Sequence, residues 1–394
     1  MSKLEELIQK YCPEGVEYIK LGDIEDMGYV KLGRGNVISK QDMKDCPGDF
    51  PVYSSSSVGD GEIGRYGKYM FDDERISWSI DGGGKFFYRN NLRYSITNVS
   101  GWLKVLAPKR VSTKYLYYSL MNEWIKKVYD YTHKAHPSVI REEYIIPIPP
   151  LPVQEEIVRV LDTFTDLQEQ LQAELQKRQQ QYSFYRDLLL TNLKDYKEYC
   201  ISDIACFRRG SFPQPYTNIE FYGGKESMPF VQVADIANEG FLLNETTNQT
   251  ISKIAQPKSV FVPQGTVICS LQGSIGRVAI TQYDAYVDRT IAIFTSIDTK
   301  LDKRYFAFQL SRIFGIAKEK ARGGTIKTIT KEEFSAFTIK VPSLSEQQRI
   351  VAVLGRFDTL TTSISKGLPA EITARKKQYE YYRDTLLSFR RRNH

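Results

Sequence analysis

The chain has 394 residues, 41% of them apolar and 26% charged, which is the composition of a soluble globular protein with room for two or three domains. No run of about 18 apolar residues occurs, which excludes a hydrophobic membrane-spanning helix. The net charge of +7 is modest and uneven: residues 343–394 carry ten Lys and Arg against five acidic residues, so a polyanionic partner is permitted without being demanded.

The N-terminal text MSKLEELIQKYCPEGVEY has no apolar signal core, and LEELIQKY reads as a short amphipathic helix stopped at Pro13-Glu14-Gly15. From Tyr18 to about Val105, short runs such as VEYIKL, FPVYSS, RISWSI, KFFYR and GWLKVL alternate with Gly, Asp, Asn and Ser clusters, the pattern of a β-rich unit with polar loops. Residues 114–130 return to helical spacing, followed by a polar loop, YTHKAHPSVI. A long helix then runs from near Pro152 to about Leu190. Its apolar positions Ile157, Val160, Phe164, Leu167, Leu171, Leu175, Tyr182, Tyr185 and Leu189 recur at three- and four-residue steps, with Arg178 filling the slot between Leu175 and Tyr182, the seam of a coiled coil. A second β-rich unit comes next, with VQVADI, SVFVP, TVICSL, RVAIT and IAIFTSI as strands. It continues into a helix at KRYFAFQLSRIFGIAKE, a polar loop RGGTIKTIT and a final helical region.

The second half repeats the first. Gln154, Ile157, Leu161 and Phe164 recur as Gln347, Ile350, Leu354 and Phe357, and Tyr185-Arg186-Asp187 recurs as Tyr382-Arg383-Asp384. Residues 25–100 and 205–290 barely align, so the helical parts are alike and the β-rich parts have diverged. Gly367-Leu368-Pro369 reads as a stop and restart within the last helix. These patterns predict an α+β fold: two β-rich units and two long helices pairing as an antiparallel coiled coil, with an approximate two-fold internal repeat. The expected domains are 1–150, 151–195 (helical), 196–342 and 343–394 (helical). A helix of about 38 residues spans roughly 57 Å, more than one turn of B-DNA.

Catalytic signatures are absent. Asp81-Gly82-Gly83-Gly84-Lys85 lacks the first glycine and the hydroxyl of a phosphate-binding loop and reads as a turn. No Asn/Asp-Pro-Pro-Tyr/Phe motif and no glycine-rich strand–helix unit for a methyl donor occurs. The five cysteines, at 12, 46, 200, 206 and 269, lack CxxC spacing, which argues for reduced thiols in a cytoplasm and against a zinc ribbon. His133 and His136 have no evident third metal ligand, so no metal site is expected.

The segments PIPPLPVQEEIVRVLDTF, KVPSLSEQQRIVAVLGRFD, GLPAEITARKKQYEYYRDTLL, PQGTVICSLQGSIGRVAI and RGGTIKTIT resemble the specificity subunits of type I restriction–modification systems. The resemblance covers essentially the whole chain. The loop HKAHPSVI departs from the form of its counterpart at Gly324-Thr325. The family implies two target recognition domains, joined by helical regions, that read the halves of an asymmetric bipartite DNA sequence. It implies a non-catalytic chain assembled with two adenine methyltransferase subunits and with restriction subunits. S-adenosylmethionine, ATP and magnesium would belong to those partners, with no cofactor in this chain.

Groove readout calls for Arg or Lys against guanine and Asn or Gln against adenine, carried on loops. On that basis the candidate DNA contacts in the first unit are Tyr53, Ser55, Ser56, Arg65, Lys85, Arg89, His133, Lys134 and His136. In the second unit they are Arg208, Arg209, Gln214, Gln232, Gln272, Ser274, Arg277, Arg322 and Lys327. Arg65 and Arg277 both come directly after Ile-Gly, which raises the two as candidates. Two other readings are a coiled-coil scaffold presenting β modules to protein partners, and a nuclease built on Asp72-Asp73-Glu74.

Overall fold

The computed structural model describes residues 3–55, 59–130, 132–237, 240–320, 330–362 and 367–392. Ser56, Arg322, Lys327 and all of the RGGTIKTIT loop except Thr330 lie outside the described residues. The chain forms two compact units, Met1–Gln170 with Thr373–His394, and Leu171–Ile372.

In the first half the elements run α1 (Lys3–Tyr11), β1 (Tyr18–Lys20), α2 (Leu21–Asp26), β2 (Val30–Arg34), α3 (Lys40–Asp45), β3 (Phe50–Tyr53), β4 (Glu62–Tyr66), β5 (Arg75–Ser79) and β6 (Phe86–Arg89). They continue as β7 (Ser95–Ile96), β8 (Ser100–Val105), α4 (Thr113–Trp124), α5 (Pro137–Glu143), β9 (Ile145–Pro147) and α6 (Leu151–Thr191). The second half runs β10 (Lys197–Cys200), α7 (Ile201–Ile204), β11 (Ala205–Arg209), β12 (Met228–Val231), β13 (Gln249–Ile251), β14 (Val260–Val262), β15 (Val267–Ser270) and β16 (Val278–Ile280). It closes with β17 (Ala285–Val287), β18 (Ile291–Ile297), α8 (Lys303–Lys320), α9 (Lys331–Ser335), β19 (Thr338–Val341), α10 (Leu344–Thr362) and α11 (Leu368–Leu386).

The sheets reveal a duplication that the sequences of the β-rich parts conceal. In the first unit a four-stranded sheet has the order β2-β8-β5-β6, and in the second β11-β18-β15-β16. A second sheet in each unit contains one parallel pair: β3 with β7, and β12 with β17. The strands are only two to seven residues long, so a shared topology leaves little sequence to align.

Alternation decides which residues face the cores. In the first unit Ile76, Trp78, Phe86 and Leu103 are fully buried against Leu116, Leu120 and Tyr144. Each such side chain contributes roughly 1.5–3 kcal/mol of apolar transfer free energy. The Trp78 indole N–H is satisfied by the Ala135 carbonyl at 2.8 Å. The second unit repeats this with Val267, Cys269, Val278 and Phe294 against Tyr305, Phe306, Leu310 and Phe334.

The long helix is continuous. Within the first unit its start packs Val153, Ile157 and Leu161 into the globular core, a four-residue series in which Leu161 rather than Val160 is fully buried. Phe164 then stacks on Tyr382 of α11 (centroids 5.1 Å apart), and Gln168 donates to the Arg375 carbonyl, so the two helices run antiparallel there. In the second unit Tyr185 stacks on Phe357 of α10 at 5.6 Å, while Leu190 shares a core with Ile350 and Leu354, which is again antiparallel. Gly367 stands between α10 and α11, where the Gly-Leu-Pro signal predicts the break.

Three local expectations are corrected. The helix expected over 114–130 ends at Trp124. Trp124 donates to the Gly83 carbonyl and Tyr129 packs on Gly84, yet residues five apart on a helix point about 140° apart, so both reach one turn only if the helix stops. PSVI begins α5 rather than continuing a loop, with Pro137 at the first turn where its fixed φ suits a helix start. VQVADI supplies one residue of β12 and then turns, because buried Asp235 accepts from the backbone N–H groups of Gln232 and Asn248.

Candidate nucleic-acid interface

In the first unit, Arg34 ends β2 opposite Gly101, and Ser79 ends β5 opposite Ser100. Antiparallel pairing therefore gathers residues 34–36, 79–86 and 97–100 at one end of the four-stranded sheet. Tyr53 pairs with Ile96 on the parallel strands, so residues 54–55 join the same end, where the Ser54 and Thr97 hydroxyls are 2.8 Å apart. Gly82, in the β5–β6 turn, lies against the Ser55 carbonyl. Gly35 donates to the Ser100 carbonyl at 3.0 Å, and a Cβ there would fall on the Ile96 and Thr97 carbonyls. These loops form one rim.

The second unit builds the same rim. Arg209 ends β11 opposite Ala292, and Gly210 donates to the Ile291 carbonyl at 3.0 Å. A Cβ on Gly210 would fall on the Val287 and Asp288 carbonyls. Asp288 N–H donates to the Val231 carbonyl (3.0 Å) as Thr97 N–H donates to that of Tyr53 (2.9 Å). The hairpin turns match as well. Ser79 N–H donates to the Lys85 carbonyl and Gly84 N–H to the Ser79 carbonyl; Ser270 N–H donates to the Arg277 carbonyl and Gly276 N–H to the Ser270 carbonyl. Gly84 and Gly276 have φ of 75° and 78°. The corresponding pairs are thus Arg34/Arg209, Gly35/Gly210, Asn36/Ser211, Tyr53/Val231, Lys85/Arg277, Thr97/Asp288 and Asn98/Arg289.

Charge sits differently on the two rims. Arg89 is 5% exposed, with its guanidinium 3.5 Å from the centroid of the Tyr53 ring and donating to the Asp60 carbonyl and the Ser77 hydroxyl. Burial pushes its pKa down, but a guanidinium stays protonated, so a fixed cation lies against the Tyr53 ring. In the second unit, exposed Arg289 lies 5.3 Å from the Tyr216 ring, whose hydroxyl donates to Asp288.

Of the residues singled out from sequence, the structure brings Tyr53, Ser55 and Lys85 to the first rim, while Arg89 stands opposite Arg75 at the other end of the β5–β6 hairpin and reaches the rim only at the Tyr53 ring. The structure brings Arg209, Gln232, Gln272 and Ser274 to the second. Lys134 pairs with Asp81 at 3.0 Å beside the first hairpin turn. His133 is occupied by Glu143 at 2.9 Å and stacks on Tyr129, and His136 occupies the N-cap position of α5. Arg208 is exposed on β11, and Gln214 is exposed beyond Ser211 at a cis bond to Pro215.

Arg65 is not at the rim. It lies opposite Pro51, toward the other end of the β3–β4 pair, and bonds to Glu62 and the Asp49 carbonyl. The shared Ile-Gly-Arg therefore does not mark equivalent positions, because the counterpart of Gly276-Arg277 is Gly84-Lys85. Arg277 also turns inward: its Nη1 donates to the Val233 and Ile236 carbonyls at 3.2 and 3.0 Å and braces the turn after β12.

Sequence reasoning missed Arg34, Asn98 and Arg289. A signal for the first existed, since Arg34-Gly35-Asn36 and Arg209-Gly210-Ser211 share Arg-Gly and then a small polar residue. The carboxylates at 72–74 do not form a nuclease centre. Asp73 binds Arg75 and Lys104, which hold its pKa down against the opposing effect of burial, and Glu74 accepts from the Thr113 hydroxyl. Among the described residues no group of three His, Cys, Asp or Glu is placed to hold a metal, and no helix is long and apolar enough to cross a membrane.

A duplicated α+β unit with one loop rim per copy, the copies linked by a continuous helix, defines a tandem-repeat protein. The profile of the type I restriction–modification DNA specificity domain matches residues 13–177 and 193–374, and the chain belongs to that family. It is a type I specificity subunit, the non-catalytic DNA-recognition component of a restriction–modification system.

The EcoR124I/EcoR124II specificity subunit of Escherichia coli is 33% identical over 291 residues, covering 70% of each chain. A Mycoplasma pneumoniae chain assigned as a type I specificity subunit is 28% identical over 94% of this chain and 98% of its own. The fold is shared with the crystal structure of the S subunit from M. genitalium (TM-score 0.55, 15% identity, covering 94% of this chain and 95% of that one). It is shared also with a chain from a structural study of complex assembly and conformational transition in a type I system (TM-score 0.56, 15% identity, covering 95% and 97%).

Proposed function

We propose that each unit reads one half of a bipartite DNA target through its rim, with domains at 1–150 and 196–342 doing the reading. The helical regions 151–195 and 343–394 fix the number of unread base pairs and dock two methyltransferase subunits, with restriction subunits joining the assembly. S-adenosylmethionine, ATP and magnesium act on those partners, and the assembly works in the cytoplasm.

The observation that carries this reading is the pair of matched rims. Their backbone frames agree hydrogen bond by hydrogen bond, while their side chains differ, with Asn36, Asp81 and Asn98 in one and Ser211, Gln272 and Arg289 in the other. One frame carrying two sets of side chains is suited to two different half-sites.

The test is methylation-sensitive sequencing of DNA from cells expressing this chain with its methyltransferase partner. A methylated adenine motif in two parts with an unread gap is expected. A single uninterrupted motif would overturn the reading.

A further inference from the structure

We propose that Arg34 and Arg209 are matched phosphate anchors, the sequence-blind contacts that seat each rim on the DNA backbone. This rests on the DNA-reading function of the rims and adds a division of labour within them.

Among the described residues, of the corresponding rim positions that carry a charge in either copy, this pair alone keeps the same residue in both. Lys85 becomes Arg277, Asn98 becomes Arg289 and Thr97 becomes Asp288. The backbone beneath Arg34 and Arg209 is also closely repeated. Gly35 and Gly210 each press on two carbonyls, of Ile96 and Thr97 in one copy and of Val287 and Asp288 in the other. Asn36 N–H then donates to the Ile96 carbonyl as Ser211 N–H donates to that of Val287. Each arginine therefore leaves the end of its edge strand from a fixed point.

Arg34 is exposed, and a backbone carbonyl rather than a carboxylate orients it: Nε and Nη2 both donate to the Asn98 carbonyl, at 3.1 and 2.8 Å. That leaves Nη1 and the full positive charge for an anion. The two rims face different sequences, so a position holding one residue in both is suited to the feature those sequences share, which is phosphate.

The experiment uses the full chain assembled with its methyltransferase subunits and a duplex bearing the methylated motif. Affinity is measured from low to physiological salt for the wild type, Arg34→Ala, Arg209→Ala and the two Arg→Lys variants. Each alanine variant is expected to reduce the slope of log affinity against log salt by about 1, while the methylated motif stays the same. The lysine variants are expected to regain the slope, because a phosphate accepts a point charge whereas bidentate reading of guanine needs the guanidinium fork. An unchanged slope in the alanine variants, or a changed motif in one half-site, would overturn the proposal. Wild-type binding that is insensitive to salt and to motif would instead sink the DNA-reading function itself. A melting curve for each variant separates loss of contact from loss of fold.

Discussion

Gln154 and Gln347 make the same three hydrogen bonds in their separate units. The Gln154 carbonyl oxygen accepts from Ser112 N–H at 2.9 Å, and its amide donates to the carbonyls of Arg110 and Pro149. Gln347 accepts from Asp302 N–H at 2.8 Å and donates to the carbonyls of Lys300 and Pro342. Both side chains are fully buried. Each ties the first turn of a long helix to the loop before α4 or α8, which is why glutamine recurs in the lead-in to both helices. Gln154→Ala leaves buried backbone groups without partners, and we expect a loss of roughly 2–4 kcal/mol in the first unit. Gln154→Glu should be worse still, since it sets an acceptor against two carbonyls. Hydrogen exchange resolved by residue checks this, with protection falling in the first unit and unchanged at Gln347.

Glycine substitutions should divide sharply by site. Gly210→Ala places a methyl on two carbonyls and should unravel the second rim, lowering the stability of that sheet and abolishing methylation of the motif. Gly355→Ala lies in α10 with nothing near the added methyl, so it should stabilise the second unit by about 1 kcal/mol through helix propensity alone. Denaturant unfolding of the two variants checks the opposite signs.

The first unit should lose stability in acid through Glu156. Its side chain is 4% exposed and bridges Arg159 and Lys3, linking α1 to α6. The Arg159 guanidinium, helped by Lys3 against the opposing effect of burial, holds the carboxyl at about 2, below its ordinary 4.5. A folded value below the unfolded one means that the contribution is complete above about pH 4.5 and is lost as pH falls toward 2. Glu156→Gln should be less stable at neutral pH and show a shallower loss over that window. The check is a set of urea midpoints across that range; parallel curves for the two proteins would remove Glu156 from the account.

Element length governs how much was legible in the sequence. The helices were readable because a seam of many turns repeats its pattern, and because Gln154/Gln347 and the Tyr-Arg-Asp triplets serve the same contacts twice. The triplets fix Arg186 beside Asp187 and Arg383 beside Asp384. The β-rich parts were unreadable as a repeat because their shared features are backbone hydrogen bonds, which many side chains satisfy. The Ile-Gly-Arg match misled for the same reason. Gly276 is held by a positive φ and by Phe314, whereas Gly64 sits in the middle of β4 beside Met43. Similar letters occupied different places, while Gly84-Lys85, which shares only the glycine and a basic residue with Gly276-Arg277, occupied the right one.

Specificity at one half-site should move when Arg289 is changed. It is exposed at the turn where the first unit has Asn98, and it is held near Tyr216. Arg289→Ala is expected to relax or alter the half-site read by the second unit and leave the other unchanged, at a cost of roughly 1–3 kcal/mol in discrimination. Sequencing of methylated sites gives both halves at once. Equal relaxation of both halves would place Arg289 outside base reading.

The length of α6 should set the gap. It is one uninterrupted helix of 41 residues, whereas the C-terminal helical region is divided at Gly367 between α10 and α11. Four residues inserted after Leu171 add about 6 Å and rotate the downstream helix by about 400°, only some 40° from a whole turn. The aromatic stacks of Phe164 on Tyr382 and of Tyr185 on Phe357 each lie on one side of the insertion, so neither is cut by it. The methylated motif should keep both halves and gain one or two unread base pairs. Two inserted residues rotate the downstream seam by about 200° and turn its apolar face away from its partner, so that variant should methylate poorly at any spacing. A gap unchanged by four residues, with both half-sites still methylated, would show that α6 does not set the spacing.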